Sequence, residues 1–166
     1  MNPPTTPSDA PAADSASNFI SDGRGHPLCA CLTPGQTHEI TAFKTLMHQV
    51  VVPQHRGQPR TRPHQLAGDR GYDARRIRQW LQHHEIRSVI PPRRRRGVRK
   101  AGRPIGYDPQ AYRARNVFER TIGWLKECRS VATRFEKLAL NYLGFVHLAS
   151  CTINTAILNY QTEPIR

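Results

Sequence analysis

The chain has 166 residues, enough for one domain with a real core and short for two. Its 25 Lys and Arg against 12 Asp and Glu give a formal charge of +13, a balance that favours a polyanionic partner, most simply nucleic acid, because each phosphate contact releases condensed counterions. Four cysteines with no disulfide framework suit a reducing cytoplasm, and an N-terminus with neither a basic region nor an apolar run argues against a secretory signal.

Residues 1–18 are rich in Pro, Ala, Ser and Thr and hold no Lys or Arg, so they read as a disordered leader. The charge lies beyond them. Past residue 23 the 25 bases face only the nine acids left after Asp9, Asp14 and Asp22, an excess of 16. Asn18 to Gly35 reads as a β-hairpin, with Asp22-Gly23 and Gly25 as its turn and Leu28 to Thr33 as a short apolar strand. The first strand of that pair reads as cut short. Cys29 and Cys31 form a C-x-C with His26 nearby. No second pair stands at zinc-ligand spacing, so strand packing is the preferred reading over a zinc site.

A helix from Thr37 or Thr41 through Val51 would set Ile40, Phe43, Leu46, Met47 and Val50 along one face. A basic, Pro-rich loop covers 53–63. Gln65 to Asp69 reads as a short strand ending in a carboxylate, followed by the turn Arg70 to Asp73. Ala74 to His84 reads as a helix packed through Ile77, Trp80 and Leu81, and Ile86 to Ile90 as a buried strand stopped by Pro91-Pro92. This alternation of strand and helix indicates an α/β core.

Arg93 to Arg96, with Arg99, Lys100 and Arg103, make a basic loop over 93–103 that is either simply solvated or a DNA contact. Pro109 to Arg129 is the clearest helix, with Asp108 as N-cap and Pro in first position. A last apolar helix spans Leu138 to Tyr160, as core or as a dimer contact. Asn141, His147, Asn154 and Asn159 interrupt it at a cost that a bilayer would not tolerate, so no membrane partner is expected. Residues 161–166 read as a tail.

The helix from Pro109 carries the sharpest signal. At roughly 100° per residue, Tyr112, Arg115, Glu119 and Lys126 fall within about 60° of arc, beside the apolar stripe and not opposite it. A carboxylate flanked by two cations and a phenol at that edge suits a cleft that binds metal and phosphate. A solvated edge with intrahelical ion pairs is the plainer alternative.

The spacing Tyr112-x2-Arg115-x3-Glu119-x6-Lys126 matches the Y-x2-R-x3-E-x6-K signature of a group of DDE-class insertion-sequence transposases. Leu66-Ala-Gly-Asp-Arg-Gly-Tyr-Asp73 resembles the strand and turn around that family's second catalytic Asp. Val89 to Arg93, Trp124 to Arg129, Ala132 to Leu138, Asp22 to Leu28 and Leu32 to His38 are similar in type and order. The likeness covers Phe19 to Tyr160, which makes 19–160 one partial catalytic domain.

The resemblance implies an RNase H-like fold in which three carboxylates bind two divalent ions, usually Mg²⁺. In that family water cleaves the phosphodiester at the element's end, and the freed 3′-hydroxyl attacks target DNA. By position Asp69 would be the second ligand and Glu119 the third. Tyr112, Arg115 and Lys126, with Arg93, Arg94, Arg95 and Arg96, would hold double-stranded DNA at element ends and target. Such an enzyme works in the bacterial cytoplasm, at the nucleoid. Asp73, as a turn residue or helix cap, needs no catalytic role.

The likeness fails at one place. The family's first catalytic Asp lies on an opening strand ahead of the hairpin, where this chain has its leader. Asp9 and Asp14 sit in no apolar run, and Asp22 matches the hairpin turn. The core is therefore expected to lack its first strand, to leave sheet edges unpaired, and to be inactive alone, as a truncated or second-frame fragment that an upstream transposase half would complete. A non-catalytic DNA-binding remnant, or an inhibitor of the parent enzyme, is the alternative. An RNase H-like nuclease or resolvase fits the Tyr-Arg-Glu-Lys spacing less well.

Overall fold

The computed structural model describes residues 15–52, 54, 56–93, 106–134 and 136–162. Arg94, Arg95 and Arg96, with the rest of the basic loop past Arg93, lie outside the described residues, as do residues 1–14 and 163–166.

The chain opens with β1 (Ser15–Ser21), which pairs antiparallel with β2 (Pro27–Pro34) from Ser15↔Pro34 to Ser21↔Pro27. The strand thus begins inside the stretch assigned above to a leader ending at residue 18. Composition misled there because this end is held by polar bonds. Asn18 Nδ2 donates to Ala16 O and to Thr33 Oγ1, and the Arg134 guanidinium donates to Ser15 O and Ser17 Oγ. Ser15 and Asn18 are both buried.

A single 3-10 turn (Glu39–Thr41) leads into α1 (Ala42–Gln49), which buries Ala42, Phe43, Leu46 and Met47 as the apolar spacing predicts. Next come β3 (Gln65–Ala67), the 3-10 turn Arg70–Tyr72, α2 (Arg75–His83) and β4 (Arg87–Val89). β3 and β4 pair in parallel, Gln65↔Arg87 to Ala67↔Val89, with α2 as the crossover. The chain is mixed α/β, and its strands form two separate two-stranded sheets.

The long helix expected over Pro109 to Arg129 is three pieces: α3 (Pro109–Arg113), α4 (Asn116–Glu127) and α5 (Arg129–Thr133). Asp108 does cap α3, accepting from the Gln110 and Ala111 N–H groups at 2.9 and 3.0 Å. At Ala114–Arg115 the bonding tightens to three-residue steps, Arg115 N–H to Tyr112 O and Val117 N–H to Ala114 O. A tighter turn rotates more per residue, so Tyr112 does not share one regular cylinder with Glu119 and Lys126. The last helix, α6 (Ala139–Thr162), runs two residues beyond the expected end. Among the described residues no helix is long and apolar enough to cross a membrane.

Side-chain alternation on β1 explains the layering. Phe19 packs with Ala30, Leu125, Val131, Tyr142 and Val146, the cluster under α4, α5 and α6. Ile20, its neighbour on the other face, packs with Phe43, Met47, Ile77, Leu81 and Ile90, the cluster under α1 and α2. Helices therefore cover the strands from both sides. The strand pair β3–β4 joins the second cluster through Leu66 and its flank at Ile90.

Candidate active site

Asp69 follows β3 directly. Its carboxylate accepts from the Gly71 N–H at 2.8 Å and so caps the 3-10 turn that starts α2's approach. The same turn is fastened from behind. Asp73, whose side chain is 4 % exposed, pairs with Arg78 Nε at 2.7 Å and accepts from the Arg93 N–H. Arg78 also reaches Ile90 O at 2.8 Å and Ser88 Oγ at 3.4 Å. The N-cap of α2 is Ala74. Asp73 is the C-cap of the 3-10 turn, the turn or cap position expected of it, and its carboxylate also locks the β3–α2 turn to the end of β4.

Glu119 stands on the first turn of α4 and forms an i,i+4 pair reversed in chain order with Arg115, Nη1 to Oε1 at 2.9 Å; Glu119 is 57 % exposed and Arg115 25 %. Arg115 also lies over the Phe118 ring at 5.7 Å. The plainer alternative for this helix edge, an intrahelical ion pair, is therefore present. Lys126 stands about two turns beyond Glu119 on the same side of α4, and Tyr112 packs edge-on against Tyr107 at 5.6 Å. Arg93 is exposed where β4's exit ends.

One cavity of about 890 Å³ gathers part of this set. Asp69, Arg115 and Lys126 all line it; Glu119, Tyr112 and Arg93 do not. Arg60, Arg62 and Arg134 also line it. Sequence reasoning missed all three as site residues, although Arg60 and Arg62 stood in the loop already noted as basic.

The hairpin turn is fixed to α4 next to this site. Thr121, 1 % exposed, donates to Gly25 O at 3.0 Å. Gly25 has φ +97°, and a Cβ there would meet Thr121 Oγ1 and Val117 Cγ1 at 3.2 Å each. Asp22 stabilises the turn by accepting from the Arg24 and His26 N–H groups at 2.8 and 2.9 Å and pairing with His26 Nδ1 at 2.8 Å. Burial pushes its carboxyl up, but the bonds from His26 and Arg24 outweigh burial and hold it below the ordinary value. On β2, Cys29 donates to Leu46 O at 3.5 Å, the strand packing expected of it, and burial raises its thiol to about 11.

Asp69 is committed to a turn, Glu119 to Arg115, and among the described residues no three or more His, Cys, Asp or Glu converge to hold an ion. The donor set of the described residues does not fit a two-ion site by itself.

Residues 17–154 match the family model described as the transposase DDE domain. The chain belongs to the DDE transposase family. In general that family carries out nucleotidyl transfer on DNA with divalent metal ions. The chain is also similar to a protein of Burkholderia cepacia assigned as a transposase for insertion sequence element IS402, with 32 % identity over 148 residues. That alignment takes in 89 % of this chain and 65 % of the relative, so this DDE-family chain spans about two thirds of the relative's length. No solved structure gives a match.

Proposed function

We propose that this chain is part of an RNase H-like catalytic domain of an insertion-sequence transposase, acting in DNA transposition by phosphodiester cleavage and strand transfer. The observation that carries the reading is the cavity shared by Asp69, just past β3, Arg115, at the start of α4, and Lys126, near its end. Asp69 and Glu119 are the proposed catalytic carboxylates and Mg²⁺ ligands. Tyr112, Arg115, Lys126 and Arg93 to Arg96 are the proposed contacts to double-stranded DNA. The chain alone is proposed to be inactive, with Asp69 held by its turn and Glu119 by Arg115.

The split between DNA binding and chemistry is directly measurable. Arg115→Ala and Lys126→Ala should each weaken duplex binding and each lower the slope of log K against log salt by about 0.9. The purified chain with Mg²⁺ or Mn²⁺ should give no strand transfer to a plasmid target. Transfer by the chain alone would overturn the proposed inactivity, and unchanged salt slopes would overturn the assigned contacts.

The Arg115–Glu119 pair favours a second reading, a DNA-binding remnant or inhibitor without chemistry, because it neutralises the carboxylate that catalysis needs. In that case Glu119→Gln should bind DNA more tightly, and addition of an upstream fragment should restore no transfer. A homodimer through α6 is supported by its exposed Leu140, Leu148 and Leu158. Leu148→Glu should then shift the sedimentation coefficient to that of a monomer.

A further inference from the structure

Helix α6 runs 24 residues, about 36 Å, without one Lys, Arg, Asp or Glu. At the 22 % charged content of the whole chain, about five would be expected there. Its buried side, with Tyr142, Val146, Ala149 and Ile153, packs with Leu125 of α4 and Val131 of α5. The other side is open. Leu140, Leu148 and Leu158 are 62 %, 65 % and 55 % exposed, and Gly144, Cys151 and Thr155 are exposed among them. These six recur at steps of four, four, three, four and three residues, so they form one stripe within about 80° of arc.

The stripe matches itself when reversed. Laid antiparallel about a point next to Ala149, it sets Leu140 against Leu158, Gly144 against Thr155 and Leu148 against Cys151 of an identical helix. Gly144 opposite a Thr lets two helix axes approach to about 8 Å, and the leucines then meet at both ends. A groove at one end has room for them. It holds about 500 Å³ between β2 and α6, lined by Ala30 and Leu32 of the strand and by Ala139, Leu140 and Leu143 of the helix. Leu140 and Leu158 share one edge of α6, so a two-fold axis brings Leu158 of one copy to the groove beside Leu140 of the other.

Charge selects the same occupant. Two chains of +13 repel wherever their cations meet, and this stripe lets them touch with no charge on either side. A polyanion finds no Lys or Arg on it.

We infer that two copies of this chain pair through α6 as antiparallel helices, with the two-fold axis beside Cys151 and Leu158 of each copy seated in the other's β2–α6 groove. The inference deepens the homodimer proposed above and rests on it; it adds the direction, the register and the groove. In that register the two Cys151 stand about 5 Å apart along the helix axis and the two Leu158 about 26 Å. Thiol cross-linking therefore reads the arrangement directly.

The test uses the full chain, freed of nucleic acid by nuclease, in sedimentation equilibrium and under diamide, which takes up the electrons of two thiols as a disulfide forms. The dimer should strengthen as added salt screens the repulsion between two +13 chains, whereas copies bridged by residual DNA would separate. Diamide should link the parent chain through Cys151, as peptide mapping would read. Neither Cys151→Ser nor Cys151→Ser with Leu158→Cys should link, though a parallel pair would join the second. Gly144→Glu, at a position with nothing within 4 Å in the single chain, should keep the helical spectrum and raise the dimer Kd by about tenfold or more. A monomer at every concentration, or a dimer that weakens with salt, would overturn both the homodimer and this inference. A salt-strengthened dimer that links through Leu158→Cys, fails to link through Cys151 or keeps its Kd in Gly144→Glu would leave a homodimer standing and overturn this arrangement.

Discussion

Replacing Arg78 by Met removes a cation but keeps much of the aliphatic volume. The guanidinium bonds Asp73 at 2.7 Å, Ile90 O at 2.8 Å and Ser88 Oγ at 3.4 Å, and the Asp73 side chain is 4 % exposed. The variant therefore takes the Arg78 charge away from a buried carboxylate that keeps the Arg93 N–H. Breaking one partner of a buried pair costs about 3–5 kcal/mol. With a urea slope near ~2 kcal/mol/M, the unfolding midpoint should fall by about 2 M. Arg78→Met combined with Asp73→Asn removes the stranded charge, so the double variant should lose less than the two single losses added together, with a coupling of about 1 kcal/mol or more. The turn that carries Asp69 hangs on this pair, and its amides should exchange faster in the single variant. A single variant within about 1 kcal/mol of the parent chain, or strict additivity, would refute the claim that this buried pair holds the turn.

Gly25→Ala forces a side chain onto a backbone at φ +97° and against Thr121 and Val117. A loss of about 1–2 kcal/mol or more is expected in thermal or urea unfolding, while Gly23→Ala, with open space around it, serves as the near-neutral comparison. For Asp22 the folded carboxyl lies below its unfolded value, so its contribution is full above about pH 4 and is lost as pH falls through the folded value. Asp22→Asn should therefore be less stable than the parent at pH 7 by about 1–3 kcal/mol, and urea titrations should show the gap closing in acid. Cys29, half-buried with a thiol raised to about 11, should react with iodoacetamide at pH 8 far more slowly than exposed Cys151, as mass spectrometry of timed digests would read.

Much of this chain was legible in order. Helix α1 was set by the spacing of Phe43, Leu46 and Met47. The cap at α3 was set by Asp108 before Pro109, and the βαβ unit by a short strand, an amphipathic helix and a second short strand stopped by Pro91-Pro92. These are local signals, each written within a turn or two of backbone. The Tyr112 to Lys126 spacing pointed to the family that the match over residues 17–154 then gave.

The sequence by itself could not place what depends on distant residues. β1 begins at Ser15 because Arg134, far along the chain, bonds its first residues, and no property of Ser15 to Asn18 announces that. The break at Ala114–Arg115 shows as three tightened bonds, from the N–H groups of Arg115, Val117 and Phe118, so a uniform rotation per residue misplaced Tyr112 relative to Glu119. Asp73 looked like a turn residue until Arg78, Arg93 and the end of β4 converged on it.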